Sequence, residues 1–362
     1  MARNNLKKAE LENSLDKLQR HHHSRGALLK LKIKKLKAEI AEASKRIHYE
    51  GFYVKKMGDA TVALVGFPSA GKSSLINAIS STRSKTAQYA FTTTSIIPGT
   101  MIFRDSHIQI FDMPGIIEEA HMGIGRGRMV IAGMKVADLL VFVVDINMLY
   151  QFDKIVREFD ALNINLNKLR PHYTIIDQPT GGIKIEINRS GLREDELKEI
   201  LADFGVKNAV VSIWDPVSED EFIALLAGKA FYIKALVALN KVDTIKDYKK
   251  VSDAFAKRYG ITTIPISATK RINLEALKEK IYENLNIITV YLKPRTGNER
   301  SEPMTLKRGA TVGDAAKKFH ADIVDELKCA LINGPSVKFP YQRVGMEHIL
   351  MSGDMITFIK NK

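Results

Sequence analysis

The chain has one cysteine, Cys329, in 362 residues. A single thiol closes no intrachain disulfide, excludes a cysteine-rich zinc site and fits a reducing compartment. Long apolar runs are also missing: no segment approaches the roughly 18 consecutive apolar residues that a membrane span needs. The N-terminus is polar and charged and lacks the apolar stretch of a secretory signal. These absences lead to the expectation of a soluble, cytoplasmic protein. Low-complexity linkers and internal repeats are absent as well. Acidic residues are in deficit, 41 Asp/Glu against 55 Lys/Arg, for a net charge of +14. Such an excess points to a polyanionic partner, a nucleic acid or an acidic membrane surface. Half of it sits in residues 1–50, which hold 13 Lys/Arg against 6 Asp/Glu.

What is present suits a multidomain α/β protein. The length calls for two to four domains, and 45% hydrophobic residues can bury a core. Residues 5–50 contain no proline and one glycine. Apolar residues at Leu29, Ile33, Leu36, Ile40, Ala43 and Ile47 form a heptad seam, and Leu11, Leu15 and Leu18 repeat the rhythm. The polar break at His21–Gly26 predicts a helical hairpin, with Lys30, Lys32, Lys34, Lys35 and Lys37 mostly off the seam.

From Ala60 short apolar runs at 61–65, 108–111, 139–145, 235–239 and 262–266 alternate with helical stretches, the signature of a parallel sheet covered by helices. The connection from Asp145 to Asn240 is too long for one crossover, which predicts an inserted α/β subdomain at about 167–230. Within it, 173–188 read as a hairpin around Gly181-Gly182, 192–204 as a helix capped by Ser190, and 208–213 as a strand; lone Trp214 is expected to pack there. After Asn286, a strand at 287–293, a helix at 311–320 capped by Thr311 and a strand at 354–360 predict a compact α+β domain. The expected division is 1–57 for the basic helical region, 58–166 with 231–287 for the core, 167–230 for the insert and 288–362 for the last domain.

The run Gly66-Phe67-Pro68-Ser69-Ala70-Gly71-Lys72-Ser73 matches G-x-x-x-x-G-K-[ST] between a strand and a helix. Its glycines let backbone N–H groups wrap a phosphate chain, and the helix N-terminus adds its positive end. Lys72 would reach the β- and γ-phosphates, Ser73 would ligate Mg²⁺, and Ser74 completes the cradle. Asp112-Met113-Pro114-Gly115 follows a strand, so Asp112 would hold Mg²⁺ through water and Gly115 N–H would sense the γ-phosphate. Asn240-Lys241-Val242-Asp243 selects the base, because a carboxylate at Asp243 accepts both guanine N1–H and the 2-amino group, a donor pair that adenine lacks. Ser267-Ala268 would bring backbone N–H groups to guanine O6. The ligand is thus GTP or GDP with Mg²⁺.

A first switch lies in Phe91-Thr92-Thr93-Thr94. Three threonines compete to close over Mg²⁺ and the γ-phosphate, and Thr93 is preferred. Residues 121–128, with Gly123, Gly125, Gly127, Arg126 and Arg128, suit a second switch or a contact with RNA or a regulator. Thr93, Gly115 and Lys72 carry the catalytic assignment. The positions after Gly115 are Ile116 and Ile117, where related enzymes place a water-orienting Gln; neither polarises water. His121 and Glu118 lie nearby, and a monovalent cation is another source of the missing charge.

With these residues in view, the chain resembles the developmentally regulated GTP-binding proteins, a branch of the Obg-type GTPases. GFPSAGKSSL, FTTTSIIPG, DMPGIIE, GIGRGR, NKVD and SA occur in family order. The segments GGIKIEIN and INGPSVKFPYQRVGMEHILMSGDMITFIK resemble the family's insert and its C-terminal TGS domain. ALLKLKIKKLKAEI resembles its N-terminal helical region. The resemblance implies a P-loop GTPase core, a ribosomal-protein-like α/β insert, a β-grasp TGS domain, a role in translation and a helper or activator protein. It places the chain among GTPases with a hydrophobic residue in place of the catalytic Gln. Many potassium-activated members carry Asn at the fourth P-loop position, where Ser69 stands here; K⁺ is the further cofactor this raises. Three readings result: a GTPase acting on RNA or the ribosome, a nucleotide-gated RNA- or ribosome-binding protein with negligible hydrolysis, and a membrane-surface GTPase, of which the first is preferred.

Overall fold

The computed structural model describes residues 58–83, 99–113, 134, 136–293, 301–320 and 327–360. The expected N-terminal helical hairpin, the His21–His23 break, Thr92–Thr94, Gly115, Ile116, Ile117 and the glycine-rich stretch 121–128 lie outside the described residues.

The first half of the chain runs β1 (Ala60–Val65), α1 (Lys72–Ile79), β2 (Thr82–Arg83), β3 (Gly99–Phe103), β4 (Ser106–Asp112), β5 (Leu139–Asp145) and α2 (Tyr150–Ala161). Next come β6 (Ile164–Leu166), β7 (Tyr173–Asp177), β8 (Ile183–Asn188), α3 (Glu194–Asp203), β9 (Ala209–Ile213), α4 (Glu219–Leu226) and β10 (Phe231–Ile233). The remainder is β11 (Ala235–Asn240), α5 (Tyr248–Tyr259), β12 (Thr263–Pro265), α6 (Leu274–Asn284), β13 (Ile287–Leu292), β14 (Glu302–Lys307), α7 (Val312–Phe319), β15 (Leu327–Asn333), β16 (Gln342–Val344) and β17 (Met355–Lys360).

Every residue of β1, β5 and β11 is buried, as strands covered on both faces must be. They form a sheet of order β12-β11-β5-β1-β4-β3-β2. The first five strands are parallel, and they are the five apolar runs read from the sequence. Two strands were not foreseen: β3 returns antiparallel to β4, and β2 pairs with β3. The β3–β4 hairpin turns on Arg104 and Asp105, at φ 48° and 59°, the left-handed pair of a two-residue turn. On one face of the sheet, Leu75, Ile76 and Ile79 of α1 share a core with Leu274, Leu277 and Ile281 of α6.

The C-terminal strands form a second sheet of order β14-β13-β17-β15-β16. Its centre is a parallel β13–β17 pair with antiparallel neighbours, and α7 packs Val312, Ala315 and Ala316 into its core. Thr311 caps α7 as expected: its Oγ1 accepts the Asp314 N–H at 3.3 Å, and Asp314 Oδ2 accepts the Thr311 N–H at 2.9 Å. Cys329 is buried.

This sheet and the seven-stranded sheet belong to one unit, Gly51–Glu158 with Ile233–Lys362, joined through buried hydroxyls. Ser106 Oγ lies 2.9 Å from both Thr289 Oγ1 and Thr305 Oγ1. Thr289 Oγ1 also donates to Arg104 O at 3.1 Å and lies 3.0 Å from the Tyr282 hydroxyl. Tyr291 OH donates to Asp105 Oδ2 at 2.8 Å, and Arg104 pairs with Glu279.

The second unit, within the described residues, is Phe159–Tyr232. Its main sheet has the order β7-β9-β8, and β6 pairs with β10. The expected hairpin at 173–188 is therefore corrected. Although β7 and β8 are joined through Gly181-Gly182, both pair with β9, antiparallel and parallel respectively. The reason is burial: four of the five residues of β9 (AVVSI) are buried, whereas β8 alternates half-buried and exposed residues and suits an edge. Ser190 does not cap α3 either. Its Oγ accepts the Leu192 N–H at 3.0 Å, while Arg193 is the N-cap and its N–H is accepted by Glu196 Oε2 at 3.2 Å. Trp214 packs in this unit as expected, stacked on His172 with ring centroids 4.4 Å apart.

Candidate nucleotide-binding site

The C-terminal ends of β1, β4, β11 and β12 carry the predicted site residues among those described, the edge where open parallel sheets bind ligands. A Cβ at Gly66 would lie 2.3 Å from Val143 O, and a Cβ at Gly71 would lie 2.3 Å from Asn240 Nδ2; Gly71 also has φ +95°. Both positions therefore require glycine. Pro68 and Ser69 are exposed, with Ser69 at φ 62°, and Ala70 is buried. Ser73 and Ser74 are exposed in the first turn of α1.

Lys72 Nζ donates to Gly66 O at 2.9 Å and Phe67 O at 3.2 Å. It lies 3.9 Å from Asp112 Oδ1. Two of three ammonium protons are thus spent on the loop's carbonyls, which fixes the direction of the third. Asp112 Oδ1 is buried with no hydrogen-bond partner among the described residues. Burial pushes its carboxyl up to about 6, opposed by the Lys72 charge. A lone, desolvated oxygen ligand beside a phosphate loop fits Mg²⁺, which takes few protein carboxylates and completes its shell with water and phosphate. Among the described residues no cluster of three or more His, Cys, Asp or Glu occurs.

Asn240 is 2% exposed and ties two loops together. Its Nδ2 donates to Ala70 O at 2.9 Å, and its Oδ1 accepts the Ala268 N–H at 3.0 Å. The Ser267 N–H donates to Ile272 O at 3.2 Å. The two N–H groups that the sequence assigns to guanine O6 thus both have protein acceptors here. Asp243 is exposed in a short 3₁₀ turn, Val242–Thr244.

Sequence reasoning missed the partner of Lys241. Its ammonium is 2.8 Å from Asp145 Oδ2. Burial works against the Asp145 charge, but hydrogen bonds from Lys241 and Asn147 outweigh it and hold the carboxyl below its ordinary range. The only hint in the sequence was an Asp closing the apolar run 139–145.

Comparison with known proteins agrees with this geometry. Residues 61–178 match the family described as 50S ribosome-binding GTPase, 180–287 match its C-terminal region, and 288–360 match the TGS domain. A GTP-binding protein of Methanocaldococcus jannaschii is 38% identical over 91% of this chain and 86% of its own. Human developmentally-regulated GTP-binding protein 2 is 35% identical over 92% of each. The chain belongs to the developmentally regulated GTP-binding protein family. It is accordingly a GTP-binding protein with a P-loop GTPase fold and a C-terminal TGS domain. A solved structure, the Schizosaccharomyces pombe YchF GTPase, is 14% identical, with a TM-score of 0.47 over 86% of this chain and 100% of that one. Among the described residues no helix is long and apolar enough to cross a membrane.

Proposed function

We propose that this family member hydrolyses GTP to GDP and phosphate with Mg²⁺ and acts on RNA or the ribosome. The observation that carries the hydrolytic part is the Lys72–Asp112 pair. An ammonium pre-oriented by Gly66 O and Phe67 O stands 3.9 Å from a buried carboxylate oxygen that has no hydrogen-bond partner among the described residues. In this reading, Ser73 and Asp112 hold Mg²⁺, which neutralises charge on the β- and γ-phosphates. Lys72 donates its remaining proton to a phosphate oxygen, and the P-loop N–H groups wrap the chain. Asp243 receives guanine N1–H and the 2-amino group. Water attacks the γ-phosphorus, the bond to the bridging oxygen breaks, and GDP leaves. Thr93 and Gly115 are the proposed contacts to the γ-phosphate side.

Ile116 and Ile117 orient no water, so intrinsic turnover is slow and a partner or K⁺ supplies what they lack. The +14 charge supports a polyanionic partner, and the matching family is described as 50S ribosome-binding. The proposed compartment is the cytoplasm, with a helper protein as a further partner.

The same two isoleucines favour a second reading, in which GTP only gates binding. Turnover measured in KCl and in NaCl, each with and without ribosomes, separates the two. Stimulation by ribosomes is the expected result. Tight GTP binding with no turnover in any arm would leave the gated reading.

A further inference from the structure

Asp145 has no part in the nucleotide chemistry argued so far, yet one of its carboxylate oxygens holds the base-selecting loop directly and the other holds Asn147, which bridges to Thr244. It closes β5 in register with Asn240 of β11, and the next residue, Ile146, donates its N–H to Asn240 O at 3.0 Å. The side chain is 9% exposed. Oδ2 accepts Lys241 Nζ at 2.8 Å. Oδ1 accepts the backbone N–H and the Nδ2 of Asn147, each at 2.9 Å. Asn147 Nδ2 donates in turn to Thr244 Oγ1 at 3.1 Å, and Thr244 Oγ1 donates to Lys241 O at 2.7 Å.

The contacts close a ring: Asp145, Lys241, Thr244, Asn147 and back to Asp145. Lys241 sits in it with φ 65° and ψ 33°, a left-handed conformation that is unfavourable for a non-glycine residue. Such a conformation persists only where the surroundings over-determine it. Here the lysine is held at both ends, its carbonyl by Thr244 and its ammonium by Asp145. Between those two ring members the chain carries Asp243, which is exposed and has no hydrogen-bond partner among the described residues.

We infer that Asp145 is a specificity-determining positioning residue: through Lys241 and the Asn147–Thr244 bridge it fixes the turn that presents Asp243, and so sets the preference for guanine. The inference rests on reading Asp243 as the guanine acceptor. It adds that the accuracy of Asp243 is set from a neighbouring strand by a residue that touches no nucleotide. A site built to pair a substrate's donors discriminates strongly only while its acceptor is held in place. If the ring merely supported the fold, its loss would weaken all nucleotides alike.

The test compares equilibrium affinities of the full chain, with Mg²⁺, for GTP, inosine triphosphate (which lacks the 2-amino group) and ATP. Wild-type protein must prefer GTP; absence of that preference removes the guanine assignment itself and is read before any variant. In Asp145→Asn, GTP affinity should fall about tenfold and inosine triphosphate affinity less than about threefold, so that the ratio between them contracts. In a Lys241→Met background the same substitution should contract the ratio by less, because only the Asn147–Thr244 arm is then left to lose. Asn147→Ala should reproduce the effect more weakly and provides the test if Asp145→Asn fails to fold, which thermal unfolding reports. Equal weakening of all three nucleotides, or an unchanged ratio in a folded variant, would overturn the inference.

Discussion

At the scale of single residues, the clearest strain is the Asp112 carboxylate. Its Oδ1 has no hydrogen-bond partner among the described residues, and burial raises its carboxyl to about 6. A raised carboxyl means that the folded state holds a proton which the unfolded state, near 3.8, has already released. Stability of the nucleotide-free protein therefore falls as pH rises from about 4 to 6 and stays reduced above. Asp112→Asn removes this slope. Free of nucleotide and Mg²⁺, the variant should be more stable than wild type at pH 7.5, by up to about 3 kcal/mol, and equal to it near pH 4. With GTP and Mg²⁺ the order should reverse, because the carboxylate then has its cation. Thermal unfolding at the two pH values, with and without ligand, checks both signs. Gly71 gives a second prediction: Gly71→Ala drives a Cβ into Asn240 Nδ2 at φ +95°, breaking the tie to Ala70 O, and GTP affinity should drop by at least about tenfold in a binding titration.

At the scale of elements, the β3–β4 hairpin joins the two domains of the larger unit. Thr289 is 2% exposed, and its hydroxyl serves Ser106, Tyr282 and Arg104 O together. Thr289→Val keeps the shape and leaves these groups short of a partner, at a cost of about 1–3 kcal/mol. Chemical denaturation should show that loss, with the TGS domain exchanging its amides faster than before. Such a link was not legible in the sequence, since Ser106 and Thr289 stand 183 positions apart and neither belongs to a local pattern. The Lys241–Asp145 pair was invisible for the same reason. The P-loop, Asp112 and Asn240–Asp243 were readable because phosphate and guanine chemistry fixes their spacing within a few consecutive residues. Of the five parallel strands, β1, β5 and β11 were the most readable, because burial on both faces makes them almost wholly apolar. Gly181-Gly182 misled, because a glycine pair between two alternating strands has the local form of a hairpin, and local form does not reveal that β9 takes the place between them.

At the scale of the whole molecule, the positive charge is uneven along the chain: half of the net +14 lies in residues 1–50. If that region carries the polyanion contacts proposed above, deleting residues 1–50 should weaken ribosome or RNA binding and flatten its dependence on salt, since each lost phosphate contact releases fewer counterions. Binding isotherms across a salt series read that slope directly; unchanged binding would place the contact elsewhere in the chain.

The buried hydroxyls around Ser106 also set a timetable. A ribosome delivers the chain N-terminus first, at about 5–20 residues per second, and Thr305 follows Ser106 by 199 positions. For roughly ten seconds or more at the slower rates of synthesis, a nascent GTPase domain exposes a polar face meant for a domain not yet made. Chains released before Thr305 emerges leave Ser106 Oγ without that partner, so a truncated product differs from the finished protein in the hydrogen bonding of this site as well as in length.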